Sequence, residues 1–265
     1  FLRRRRRLPR LPPLRAAAAA LGDAITKISL LPPQDHPAFK GRLGTDKVVA
    51  WSAPMALDPI KAMGRAVNGK VNDVLLALAA GALRRWLEAR GTPLEAGEAL
   101  RATVPINLRP MDQVGELGNR IGMVFVHLPV ALPGVRARLD AVKAEMDAIK
   151  GSAEAPVTFG LMRALGFTSP EVEDALLDVF SRKASLVLSN VPGPRARLRF
   201  AGQPLRRLMF WVPQSGSISL GLSIISYAGE VMLGACADRG LFPDLAGLAE
   251  AVHAEHDDMA DALGA

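Results

Sequence analysis

Four short groups of residues carry the side chains and backbone best suited to hold a reacting ligand. Asn72 and Asp73 stand together at the start of a long apolar helical pattern. A side-chain oxygen there satisfies a free backbone amide of the first turn, and an acid adds a favourable dipole interaction. The same free amides could line the wall of a reaction tunnel. Arg109 closes the stretch Val104-Pro105-Ile106-Asn107-Leu108-Arg109, where its guanidinium could meet a phosphate of a nucleotide-like ligand or backbone carbonyls. Gly118-Asn119 opens the strand that follows. In Ser189-Asn190-Val191-Pro192-Gly193-Pro194, two prolines around a glycine make a turn with little conformational freedom. Such a turn suits backbone held beside a ligand or a second lobe, and a plain strand-ending loop would also account for it.

A base is harder to find. The histidines are His36, His127, His253 and His256, and no His-His-x-x-x-Asp-Gly sequence occurs in the 265 residues. His127, between Val126 and Leu128 in a strand pattern, reads as structural. His253 and His256 lack an evident third metal ligand and read as surface residues. Cys236 sits in an apolar run, as a small buried hydrophobe would. There is no Gly-rich phosphate loop, Cys/His cluster or Gly-x-Ser-x-Gly elbow. The expectation is a chain with site-shaping groups but no catalytic base, no metal and no resident cofactor.

The net charge of +7 has a local origin. Arg3, Arg4, Arg5, Arg6, Arg7, Arg10 and Arg15 precede the first acidic residue, Asp23; without them, basic and acidic residues balance at 26 each. A neutral body argues against nucleic acid as a partner. The arginine block is either a solvated terminus or a lipid-directed one, since each basic group near an anionic surface adds about 1 kcal/mol. The first residue is Phe1, as expected of a fragment. A lone cysteine forms no internal disulfide and fits a reducing, cytoplasmic compartment. No apolar run reaches the ~18 residues of a membrane span, so membrane contact is expected to be peripheral.

The elements that must position these groups follow from pattern. Residues 1–44 read as a basic leader, a helix over Leu14–Leu30 and a proline-rich linker from Leu31 to Gly44; residues 45–265 read as the folded domain. Helices are expected near Asp58–Val67, over Asn72–Arg90 with Asn72 as its cap, from Pro133 to Lys150, over Pro156–Leu165 and Pro170–Arg182, and over Asp244–Leu263. Strands are expected at Lys47–Ala53, Leu100–Leu108, Arg120–Val130, Ser185–Val191, Leu198–Phe200, Leu205–Val212, Ser217–Tyr227 and Glu230–Ala237, the last two joined by a hairpin turn at Ala228-Gly229. Alternation early and clustered strands late imply an α/β fold, a mixed β-sheet flanked by helices.

Taken in order, these stretches resemble the C-terminal half of the bacterial wax ester synthase/diacylglycerol acyltransferase family. The resemblance is carried by Val71-Asn72-Asp73-Val74-Leu75-Leu76-Ala77, Ala82-Leu83-Arg84-Arg85-Trp86-Leu87, Val104 to Arg109, Gly118-Asn119-Arg120, Ser189 to Pro194, Ser226-Tyr227-Ala228-Gly229, Asp238 and Pro243-Asp244. It covers roughly residues 40 to 260. It implies a subdomain like those of chloramphenicol acetyltransferase and other CoA-dependent acyltransferases, in which two lobes face across a tunnel. The reaction implied is base-assisted transfer of an acyl group from acyl-CoA to diacylglycerol or a long-chain alcohol. The His-His-x-x-x-Asp-Gly motif of the family belongs to an N-terminal half upstream of residue 1. Asn72, Asp73, Arg109, Asn119, Ser189, Asn190, Pro192 and Gly193 are then site-shaping groups, and the chain alone is expected to be inactive. The resemblance also implies contact with a membrane surface or lipid droplet; the alternative is a non-catalytic lipid-binding remnant. One departure stands out: Arg195-Ala196-Arg197-Leu198-Arg199-Phe200 is more basic than the apolar stretch usual there.

Overall fold

The computed structural model describes residues 22–23, 25–109 and 119–265. The arginine block, the first part of the expected Leu14–Leu30 helix and Gly118 lie outside them. The strands are β1 (Lys47–Trp51), β2 (Met55–Ala56), β3 (Leu100–Asn107), β4 (Ile121–Leu128), β5 (Leu186–Pro192), β6 (Arg199–Phe200), β7 (Gln203–Pro204), β8 (Leu220–Tyr227) and β9 (Glu230–Asp238). The helices are α1 (Leu57–Ala66), α2 (Val71–Ala89), α3 (Val135–Lys150), α4 (Glu154–Leu165), α5 (Pro170–Arg182) and α6 (Ala246–Leu263).

The main sheet runs β1-β9-β8-β5-β3-β4. β3, β5 and β8 are mutually parallel neighbours, while the β3–β4, β8–β9 and β1–β9 pairs are antiparallel. This is the expected mixed sheet. Strand alternation divides its side chains between two faces. Val124, Val126 and Leu128 of β4, with Leu186 and Leu188 of β5, enter the larger core under α1, α2, α3 and α6. Phe125 and Val187 point the other way, into a smaller core with Val157, Ala184 and Ile218. Helix α2 is the keystone of the larger core: its residues from Asp73 to Leu83 are all buried. Trp86 stacks on Phe242 at 5.3 Å, and each such side chain contributes about 1.5–3 kcal/mol on burial.

Gly81 explains how α6 can lie so close to α2. A Cβ there would fall 2.1 Å from the Glu255 carboxylate. That carboxylate is buried between Arg85, whose Nε donates to it at 2.9 Å, and the buried Arg138. A buried acid needs such pairing to avoid a desolvation penalty of several kcal/mol.

The proline-rich stretch before β1 is a loop, as expected, and buried cations fasten it. Lys183 donates to the carbonyls of Ile28, Ser29 and Leu31 at 2.8–3.0 Å. Lys40 returns the clasp, donating to the carbonyls of Ser181 and Ala184 at 3.0 and 2.7 Å. Burial lowers the pKa of both amines.

Leu205–Val212 is not the strand its alternation predicts. β8 and β9 already have two neighbours each, so no ladder edge is open to it. The segment crosses the sheet face instead, where the Val212 N–H is accepted by Ser223 Oγ at 2.9 Å and Gln214 donates to the Cys236 carbonyl. The expected Leu198–Phe200 strand is present as the short β6, whereas its partner β7, and β2 against β9, had no sequence signal long enough to read.

Candidate functional site

The parallel strands β3, β5 and β8 end at one edge of the sheet, the edge at which open α/β folds hold their ligands. Arg109 lies just beyond the end of β3, Asn119 just before the start of its antiparallel partner β4, and Asn190, Pro192 and Gly193 at the end of β5. The start of α2 arrives at the same edge. There Asn190 Nδ2 donates to Asn72 Oδ1 at 2.9 Å, a direct link between two groups separated by more than a hundred residues.

Each residue has a local reason for its place. Asn72 is not the helix cap that its type predicts. Lys70 occupies the cap position, and the carboxylate of Asp73 accepts the Lys70 N–H at 2.8 Å, closing the first turn. Asn72, one position earlier than Asp73, is thereby free to bond to β5. Asp73 is almost fully buried and its second oxygen, Oδ1, has no partner among the described residues. Gly193 is required by contact: its N–H donates to the Ser226 carbonyl at 2.8 Å, and a Cβ would lie 2.4 Å from that same oxygen. The Pro192-Gly193-Pro194 turn therefore continues the β5–β8 pairing, and Ala228 N–H donates to the Pro194 carbonyl at 3.0 Å. Ser189 is buried opposite Ser223 in the middle of the pairing, back from the edge. Arg109 donates its backbone N–H to Asn107 Oδ1 at 2.9 Å, and Asn119 is exposed.

The histidines supply no base at this edge. Arg101 Nε–H donates to His127 Nε2 at 3.2 Å, which leaves the ring proton on Nδ1, 2.7 Å from Glu145 Oε1. The Nε2 lone pair is thus occupied. The hydrogen bond from His127 holds the Glu145 carboxyl below its ordinary pKa. His253 and His256 are not the surface residues expected; each is partly buried, with Nε2 enclosed and without a partner among the described residues. They flank the buried stripe Leu248, Val252, Glu255 and Met259 of α6. Asp257 does follow His253 by four positions, but Asp258 stands where the motif needs glycine. Among the described residues no three His, Cys, Asp or Glu side chains converge as metal ligands.

On the second face, α4 and α5 roof a cavity of about 280 Å³ over β3 and β4. Phe125, Leu161, Leu165, Leu176, Phe180 and Ile218 make most of its wall, with Thr103, Thr158, Ser181 and Ser215 as the polar groups and no charged residue. Neither its residues nor their spacing singled it out beforehand, because it is assembled from five separate elements.

The family is decided by comparison with known proteins. Residues 117–260 match the model of the WS/DGAT C-terminal domain. A Mycobacterium tuberculosis protein named as a diacylglycerol O-acyltransferase is 30% identical over 221 residues, spanning 80% of this chain and 43% of that protein.

The chain belongs to the WS/DGAT family.

The O-acyltransferase WSD of Acinetobacter baylyi is 27% identical over 198 residues, which is 72% of this chain and 42% of the relative. The WS/DGAT chain thus spans less than half the length of each of these two relatives. Its fold is similar to the wax ester synthase/diacylglycerol acyltransferase of Marinobacter aquaeolei VT8, with a TM-score of 0.63 at 20% identity, covering 97% of this chain and 58% of that one. PapA2 acyl transferase gives a TM-score of 0.59 at 16% identity over 95% and 57% of the two chains. The mixed sheet flanked by helices is therefore the acyltransferase fold of the WS/DGAT family.

Proposed function

We propose that this chain forms one wall of an acyl-CoA-dependent O-acyltransferase site that makes triacylglycerol or wax ester from diacylglycerol or a long-chain alcohol. The observation that carries the reading is the meeting of Asn72 and Asn190 at the carboxyl ends of the parallel strands, in a member of the WS/DGAT family. In this reading the proton acceptor is the family's His-His-x-x-x-Asp-Gly histidine, contributed by an N-terminal half. That base takes the alcohol proton, the alkoxide oxygen forms the ester bond to the acyl carbon, and the thioester C–S bond breaks to release CoA as thiol. The unpartnered Asp73 oxygen and the Asn72–Asn190 pair set the shape and polarity of the opposing wall. We place the protein in the cytoplasm, peripheral to a membrane or lipid droplet.

The test uses palmitoyl-CoA with hexadecanol or diacylglycerol. The 265-residue chain alone yields no ester above a protein-free control, whereas the chain fused to the N-terminal half of the Mycobacterium tuberculosis relative yields ester, and Asn190→Ala in the fusion lowers the rate at least about tenfold, the loss expected of a displaced site wall. Ester from the chain alone overturns the two-wall reading. A folded fusion with no transfer activity overturns the acyltransferase reading. The uncharged cavity under α4 and α5 favours a second reading, a lipid-binding role without chemistry; fatty-acid binding by a fusion that forms no ester is its signature.

A further inference from the structure

The sequence Arg195 to Arg207 folds back on itself in a way that brings like charges together. Arg199 pairs with Pro204 and Phe200 with Gln203, around a turn at Ala201 and Gly202 with φ of 48° and 79°. The Leu205 N–H donates to the Leu198 carbonyl at 2.9 Å, extending the ladder by one step. Buried Tyr227 locks that step: its hydroxyl accepts the Leu198 N–H at 2.8 Å and donates to the Leu205 carbonyl at 2.9 Å. Just beyond this step, Arg197 on one arm and Arg206 and Arg207 on the other face a shared concavity. Like charges brought together on a hairpin destabilise it, and the Tyr227 clasp on Leu198 and Leu205 holds the two arms together despite the conflict.

The three guanidinium groups line one concavity of about 390 Å³ with a single acidic residue, Glu230. None of the three forms an ion pair among the described residues. The site carries a net excess of positive charge, and its donors are of the type that grips phosphate in a bidentate fashion. We infer that Arg197, Arg206 and Arg207 form a phosphate-binding site for a phosphate ester. Its assignment to the phosphates of the acyl-CoA donor rests on the acyl-transfer reading; the phosphate site itself does not.

The experiment titrates the 265-residue chain with CoA, 3′-dephospho-CoA and inorganic pyrophosphate by calorimetry. In parallel, sedimentation follows its binding to vesicles of phosphatidylglycerol and of phosphatidylcholine. The variant Arg197→Gln/Arg206→Gln/Arg207→Gln is compared with wild type and with Arg42→Gln/Arg65→Gln/Arg163→Gln, which removes equal charge elsewhere. The expected result is that CoA binds and weakens by about tenfold or more in the first variant and by less than about twofold in the second, whose charges lie beyond direct contact. Pyrophosphate raises the melting temperature of wild type and not of the first variant, while equal melting temperatures of the two without ligand and unchanged circular dichroism show that the variant is folded. Loss confined to phosphatidylglycerol vesicles supports the site with a lipid headgroup as the source. If neither phosphate ligands nor anionic vesicles distinguish the first variant from the second, the inference is overturned, whatever the acyl-transfer assay shows.

Discussion

Among single residues, Asp238 has the clearest consequence for stability. It is fully buried where β1, β9 and the loop before β1 meet. Oδ2 accepts the Gly44 N–H at 2.8 Å and Lys47 Nζ–H at 3.0 Å, and Oδ1 accepts the Gly240 N–H at 3.0 Å. Burial alone pushes its carboxyl up, but the hydrogen bonds from Lys47, Gly44 and Gly240 together bring it below its ordinary value. A carboxyl whose pKa is depressed by folding stabilises the folded state above its unfolded pKa of about 3.9, and that stabilisation disappears as pH falls through the folded value. Asp238→Asn is therefore expected to cost about 1–3 kcal/mol at pH 7. The deficit relative to wild type narrows below pH 4; urea unfolding at pH 7 and pH 3 measures it, and a constant difference refutes the assignment. The sequence marks Asp238 as part of the family pattern, but Gly44 and Lys47 lie far from it along the chain and only folding brings them to it.

At the level of elements, the edge strand β4 illustrates how helices can complete a sheet. Its outward N–H groups are a liability, because an open edge invites pairing with another chain. Here they are capped by side chains: Thr158 Oγ1 accepts from Met123 at 2.8 Å, Glu154 Oε1 from Phe125 at 2.6 Å, and Glu145 Oε1 from His127 at 3.4 Å. Thr158→Val leaves the Met123 N–H buried without an acceptor and is expected to lower stability by about 1–3 kcal/mol. In hydrogen exchange the Met123 amide loses protection while the amides facing β3 keep theirs; equal protection of Met123 in both proteins refutes the capping role. Helix periodicity was enough to locate α4 and α5, and Pro170–Arg182 is where the pattern places it. Periodicity was silent on Glu154, whose carboxylate looks like a surface group until β4 is packed beside it.

For the molecule as a whole, the notable property is apolar surface beyond the two cores. Trp51, half exposed on the edge strand β1, meets Trp211 edge-on at 6.1 Å, with Val49 beside it. Phe167 and Phe200 are largely exposed as well. A contiguous exposed apolar patch such as Trp51 with Trp211 marks a surface that a partner covers. The chain is accordingly expected to self-associate with rising concentration in sedimentation velocity, and Trp51→Thr is expected to reduce that association. A strictly monomeric wild type at all concentrations counts against a covered face. Among the described residues no single helix is long and apolar enough to cross a membrane.

Read alone, the amino-acid sequence determined most of the elements, the mixed α/β class and the family, because periodicity, turn chemistry and ordered motifs are local properties of a chain. It could not determine that Asn72 would forgo capping to bond Asn190, that Leu205–Val212 would cross a sheet face instead of joining the ladder, or that Arg197, Arg206 and Arg207 would line one concavity. Those outcomes depend on which backbone groups are already satisfied and which segments distant in sequence are brought within about 3 Å, the reach of a hydrogen bond, and only the packed tertiary structure sets both.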